Sequence, residues 1–141
     1  MRAVLDTSVL VAGIRSNRGA SRELLRMVLD EQLKPLVSVS LVLEYEAVLT
    51  RPEHVHASDL DEEAIKELLK VIVRAGEKVH IASRLRPQLV DPDDEFVLEA
   101  AYYGKADAIV TLNTRDFLAA AARFNISTLG PAEALKRMKH L

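Results

Sequence analysis

Residues 91–113 read DPDDEFVLEAAYYGKADAIVTLN. The stretch DEFVLEAAYYGKA (94–106) reads as a helix with Gly104 near its end. DAIVTLN (107–113) then reads as a short strand, because an apolar, β-branched run bounded by polar residues suits a strand buried on both faces. A helix that leads directly into a buried strand is the repeating unit of a parallel α/β fold. The alanine and leucine content keeps an all-helical fold open as the alternative, and the β-branched residues at 109–111 and around 37–39 weigh against it.

The same alternation extends outward. RAVLD (2–6) reads as a first buried strand and LKPLVSVS (33–40) as a second. RELLRMVLDEQ (22–32) carries apolar residues at helical spacing after a candidate cap at Ser21. Ser40 stands before a helix in LVLEYEAVLTRPE that Pro52 ends. HVHASDLDEE (54–63) reads as polar loop, and Asp59 or Asp61 caps an amphipathic helix over 62–76. KVHIA (78–82) reads as an edge strand and 83–93 as loop. TRDFLAAAARF (114–124) reads as a helix and ISTLG (126–130) as the last strand. Pro131 opens a final helix, AEALKRMKH. The expected fold is α/β: a three-layer α/β/α sandwich around a mostly parallel sheet of four to five strands, in a single domain over 1–141.

Composition narrows the chemistry. Hydrophobic residues are 49% and charged residues 28% of the 141, which marks an ordinary globular chain. There is no cysteine, so disulfides, thiolate metal sites and cysteine nucleophiles are excluded. The formal net charge of −2 gives no overall basic footprint for duplex DNA, although charge can be local. The apolar N-terminus is short, carries Asp6 and reads as a strand rather than a signal peptide. No run reaches the length of a membrane span, so the expected location is the cytoplasm.

In a parallel α/β sheet, ligands meet the carboxyl ends of the strands. Asp6 ends the first strand, and Asn113 and Asp116 lie at and just past the end of another. Asp94 opens the helix that leads into that strand, and Glu44 lies one turn into the helix after the second strand. Five oxygen donors from distant parts of the chain thus become candidates for one cleft. Clustered carboxylates repel one another unless a cation offsets them. Lysine and arginine do not recur beside these positions, which points to a hard divalent ion such as Mg²⁺ or Mn²⁺.

The ordered set resembles the PIN-domain family. VLDTSVLVAG resembles its first motif, SLVLEYEAVLTRPE its second, DPDDEFVLEAAYYGKADAIVTLNTRDF its third and fourth, and ISTLGPAEALKRM its closing strand and helix. The resemblance implies a Mg²⁺- or Mn²⁺-dependent ribonuclease. It also implies the toxin of a toxin–antitoxin pair, similar to the VapC group, with a cognate antitoxin and a homodimeric state. Residue by residue, it makes Asp6, Glu44 and Asp94 the first three acids, with Asp93 as the alternative third. The fourth position departs from the pattern: Asn113 stands where many members have Asp, and Asp116 three residues on is the replacement. The implied metal ligands are Asp6, Asp94 and Asp116, with Glu44 orienting or deprotonating water and Asn113 donating a hydrogen bond.

Thr7, Ser8 and Thr111 match hydroxyl positions suited to a carboxylate or phosphate. Arg15, Arg18, Arg22 and Arg115 are the RNA-contact candidates. His54 and His56 lack a third ligand nearby and read as surface residues, and Tyr45, Tyr102 and Tyr103 as packing or interface residues. The competing reading is a PIN-fold binding module without catalysis, which Asn113 favours. A phosphoaspartate phosphatase is disfavoured by Ser8, where a second acid belongs, and a Rossmann nucleotide site by the lack of a glycine fingerprint.

Overall fold

The computed structural model describes residues 1–139. The elements run β1 (Ala3–Leu5), α1 (Thr7–Arg15), α2 (Ala20–Leu29), β2 (Leu36–Val37), α3 (Val39–Leu49), α4 (Pro52–Ala57) and α5 (Glu62–Ala75). They continue with β3 (Glu77–Lys78), α6 (Asp94–Tyr103), β4 (Ala108–Val110), α7 (Thr114–Arg123), β5 (Ser127–Leu129) and α8 (Pro131–Lys139). His140, placed by sequence in the last helix, lies outside the described residues.

Every strand pairing is parallel. One ladder has the order β1-β4-β5, with Leu5 beside Val110 and Val110 beside Leu129. The other joins β2 to β3, with Leu36 beside Glu77. β2 lies against β1 without entering its ladder. It is two residues long and follows Pro35, which has no N–H to offer. β1 and β4 are apolar and buried throughout, as strands covered by helices on both faces must be. The α/β architecture is therefore the expected one, and β1 and β4 lie side by side, with Asp6 and Thr111 directly after their last residues.

Local boundaries differ from the expected ones where short-range pattern misleads. Val37-Ser38-Val39-Ser40 alternates like a strand, yet Val39 is exposed and already helical. Ser38, not Ser40, caps α3, its Oγ accepting from the Leu41 N–H at 3.2 Å. Ser21 caps nothing: α2 begins at Ala20, after Gly19 turns the chain with φ 101°. Pro52 both stops α3 and opens α4 at its first position, so part of the expected polar loop is helical. The expected edge strand over 78–82 is shorter, Glu77 and Lys78, with one further bond from the Val79 N–H to the Val37 carbonyl at 2.7 Å. Asp61 caps α5 as expected, accepting from the Ala64 N–H at 2.8 Å.

Candidate active site

Asp6 continues the ladder by one bond, its N–H donating to the Val110 carbonyl at 2.8 Å. It occupies the cap position of α1, but its side chain caps nothing. Instead Oδ2 accepts from the Ser8 hydroxyl at 2.6 Å and from the Thr111 hydroxyl at 2.7 Å. Those hydroxyls also accept, Ser8 from the Leu112 N–H at 3.1 Å and Thr111 from the Asn113 N–H at 2.9 Å. Two loops more than a hundred residues apart in sequence are thus knotted around one carboxylate oxygen. Asp6 is buried, and among the described residues Oδ1 has no hydrogen-bond partner.

Glu44 and Tyr45 arrive together on α3. Tyr45 lies on the buried stripe Leu41, Tyr45 and Leu49, and its hydroxyl donates to the carbonyl of Leu5, the residue before Asp6. That bond registers α3 against the strand end. Burial first, and Asp6 second, push the phenol far above its ordinary range. Glu44 is half-buried, and its carboxyl is pushed up by desolvation first and then by Asp93, with Asp91 and Asp6 adding and Arg51 opposing.

Asp94 is the first residue of α6 and is half-buried. Its carboxyl is pushed up to about 7, first by desolvation and then by Asp6, Asp91, Asp116 and Asp93. Asp116 lies exposed in the first turn of α7. Asn113 takes the cap position of α7, yet its side chain makes no cap bond. Asp6 thus acts electrostatically on both Glu44 and Asp94, and Asp116 on Asp94. As they stand, no three acid or histidine side chains among the described residues converge closely enough to hold a metal ion. The two observations are compatible, because charges repel over longer distances than those at which oxygens coordinate.

Within the opening acids, Asp91 Oδ1 accepts from the Asp93 N–H at 2.9 Å and shapes the turn. Glu95 lies in the first turn of α6. It is 2% exposed, and Oε1 accepts from the N–H groups of Gln88 and Leu89, both at 2.7 Å. Glu99, also buried, accepts from the Leu85 N–H at 3.1 Å and pairs with Arg86 at 3.5 Å. These two glutamates fasten the loop before α6 to the helix that carries Asp94. Sequence proximity to the acidic run hid that role. Tyr45 is a packing residue, as expected. Its place between Leu41 and Leu49 marks it as buried, and a buried phenol needs a partner.

Thr7 begins α1 and is half-buried. Arg15, Arg18 and Arg115 are exposed and form no ion pair among the described residues. Arg22 is committed to structure, its Nε donating to the Gly13 carbonyl at 2.6 Å.

A family model described as the PIN domain matches residues 2–115, and the chain belongs to that family. The matched span takes in Asp6, Glu44, Asp94 and Asn113 and ends one residue before Asp116. No curated protein and no solved structure matches the chain. PIN domains are in general metal-dependent nucleases. The donors present fit a hard divalent ion. All are oxygens, one oxygen of Asp6 is unpartnered, and Asp94 faces only acids among the charges that shift it. Mg²⁺ is usually held by one or two carboxylates and keeps several waters, so three converging ligands are not required. Among the described residues, no helix is long and apolar enough to cross a membrane.

Proposed function

We propose that the chain is a Mg²⁺- or Mn²⁺-dependent endoribonuclease of the cytoplasm, the toxin of a toxin–antitoxin pair. The observation that carries the reading is Asp6. Two hydroxyls hold one of its oxygens at a strand end and leave the other without a partner among the described residues, within electrostatic reach of Glu44 and Asp94. Asp6, Asp94 and Asp116 would hold the ion. Bound there, it supplies positive charge to the scissile phosphate and acidifies a water. Glu44 accepts the proton of the attacking water, a task that its raised proton affinity suits. The Asn113 amide donates to a carboxylate or phosphate oxygen. Ser8 and Thr111 keep Asp6 in position, Thr7 offers a further hydroxyl, and Arg15, Arg18 and Arg115 meet RNA phosphates.

Partner readings rest on apolar surface. A groove of about 480 Å³ lined by Leu25, Leu29, Leu60, Leu68 and Val71 suits an apolar helix of an antitoxin. Val39 and Leu43, exposed one turn apart on α3, suit a homodimer contact.

Asp6→Asn should abolish Mn²⁺-dependent cleavage of a mixed RNA pool while leaving the thermal melt near that of the parent. Unchanged cleavage by the variant would refute the assignment. A second reading, a PIN-fold binding module without catalysis, is favoured by Asn113 and by the failure of three carboxylates to converge among the described residues. Calorimetric titration with Mn²⁺ alongside the RNA assay separates the two: a binding module shows RNA affinity with neither metal uptake nor cleavage.

A further inference from the structure

We propose that Tyr45 is a positioning residue of the site: its hydroxyl fixes the helix that carries Glu44 against the peptide that carries Asp6, and so sets where Glu44 stands relative to Asp6. The inference rests on the ribonuclease reading and adds to it a residue that takes no part in the chemistry itself.

The peptide between Leu5 and Asp6 is held from both sides. Its N–H, that of Asp6, donates to the Val110 carbonyl at the end of β4, at 2.8 Å. Across a trans peptide the N–H and the carbonyl point in opposite directions, so the Leu5 carbonyl faces away from β4. Among the described residues, no strand pairs with β1 on that side, because β1 is the edge of its ladder and β2 pairs with β3. Leu5 is buried, and a buried carbonyl without a donor is costly. The Tyr45 hydroxyl supplies the donor that a neighbouring strand does not.

The consequence for Glu44 follows from how α3 is tied down. Among the described residues, the side chains of α3 and its two caps that form hydrogen bonds are Ser38, Tyr45 and Thr50. Ser38 and Thr50 bond within the helix, to the Leu41 N–H and the Glu46 carbonyl, so the bond that leaves it is Tyr45's. The rest of the docking is apolar packing of Leu41, the Tyr45 ring and Leu49, which lacks the directionality of a hydrogen bond. Glu44 is the preceding residue of the same helix, so a shift of α3 at Tyr45 carries its carboxylate along. Asp6 differs, because Ser8 and Thr111 hold its carboxylate without help from α3. Loss of the phenol hydroxyl therefore displaces one acid and leaves the other in place. Asp6 acts by charge on both Tyr45 and Glu44, so each lies within its electrostatic reach.

The test is Tyr45→Phe, which removes the hydroxyl and keeps the ring. Steady-state cleavage of a mixed-sequence single-stranded RNA is measured at saturating Mn²⁺, below the melting temperature of every protein compared. The control is Ile72→Val on α5, a truncation in the same core that touches no side-chain hydrogen bond. In Tyr45→Phe kcat should fall about tenfold or more, since misplacing a group by about an ångström has that effect, with KM within about twofold. Mn²⁺ affinity, from calorimetry, should stay within about twofold of the parent, short of the roughly 10- to 100-fold loss that follows when a metal ligand loses its supporting bond. The control should melt lower and cleave like the parent. The proposal is overturned if Tyr45→Phe keeps kcat within about twofold, or if its loss lies in KM or in Mn²⁺ affinity instead. It is overturned equally if the control loses as much, or if Tyr45→Phe does not fold, because the hydroxyl is then structural. If the parent chain cleaves no RNA, the ribonuclease reading itself fails and the role of Tyr45 falls with it.

Discussion

Removing the charge of Asp94 should stabilise the metal-free protein, and the gain should depend on pH in a set direction. The folded chain pushes this carboxyl from the ordinary 3.8 up to about 7, through desolvation and then Asp6, Asp91, Asp116 and Asp93. At full strength that difference is worth about 4 kcal/mol. Asp94 is only half-buried, so screening by solvent reduces the figure to ~1–2 kcal/mol. The folded state binds the proton more tightly than the unfolded state does. The penalty is therefore fully present above about pH 7 and disappears as the pH falls toward about 4. Urea unfolding in a chelating buffer at about pH 8 should find Asp94→Asn more stable than the parent by ~1–2 kcal/mol, with the two converging near pH 4. Saturating Mn²⁺ should reverse the order, because an ion bound only by the folded parent adds stability by mass action. The reasoning is refuted if the variant is less stable than the parent at about pH 8 in chelator. It is refuted equally if the difference does not change with pH.

Two further outcomes follow from hydrogen bonds already described. Thr111→Val removes a donor to Asp6 and the acceptor of the Asn113 N–H, so urea unfolding should register a loss of ~1–3 kcal/mol. Its effect should be non-additive with Ser8→Ala, and simple additivity would deny that the two hydroxyls share one carboxylate. Glu95→Ala strands the N–H groups of Gln88 and Leu89, so their hydrogen exchange should accelerate at a cost of ~1–3 kcal/mol. Glu95→Gln, which keeps an acceptor, should lose less, and unaltered protection in the alanine variant would rule out the fastening role.

Much of this architecture was legible because parallel strands announce themselves. Ala3–Leu5 and Ala108–Val110 are uniformly apolar because helices cover both faces, and the polar residue after each marks the strand end. By that rule Asn113, read as the end of a strand over 107–113, meets the edge that Asp6 ends; the strand stops at Val110, so Thr111 is the residue that reaches Asp6. Short elements were harder to read. Val37 to Ser40 has the period of a strand but begins a helix, since period over four residues cannot tell the two apart. α4 has six residues and no buried face, so only Pro52 signals it. Glu95 escaped a local reading because its partners are loop N–H groups that fold back over α6. Side-chain direction was the remaining gap. The acids were assigned to one cleft from topology, and topology does not say how closely their oxygens approach.

The hydroxyl knot around Asp6 also sets an order of assembly. Asp6 precedes its Thr111 partner by 105 residues. A nascent chain thus carries Asp6 early but cannot orient it until β4 has been made and has paired with β1. A fragment that stops before β4 holds three of the cleft's acids, Asp6, Glu44 and Asp94, and lacks the hydroxyl from Thr111 that positions the first of them. Competence at this site is thereby tied to the synthesis of β4, a built-in delay between the appearance of Asp6 and its orientation.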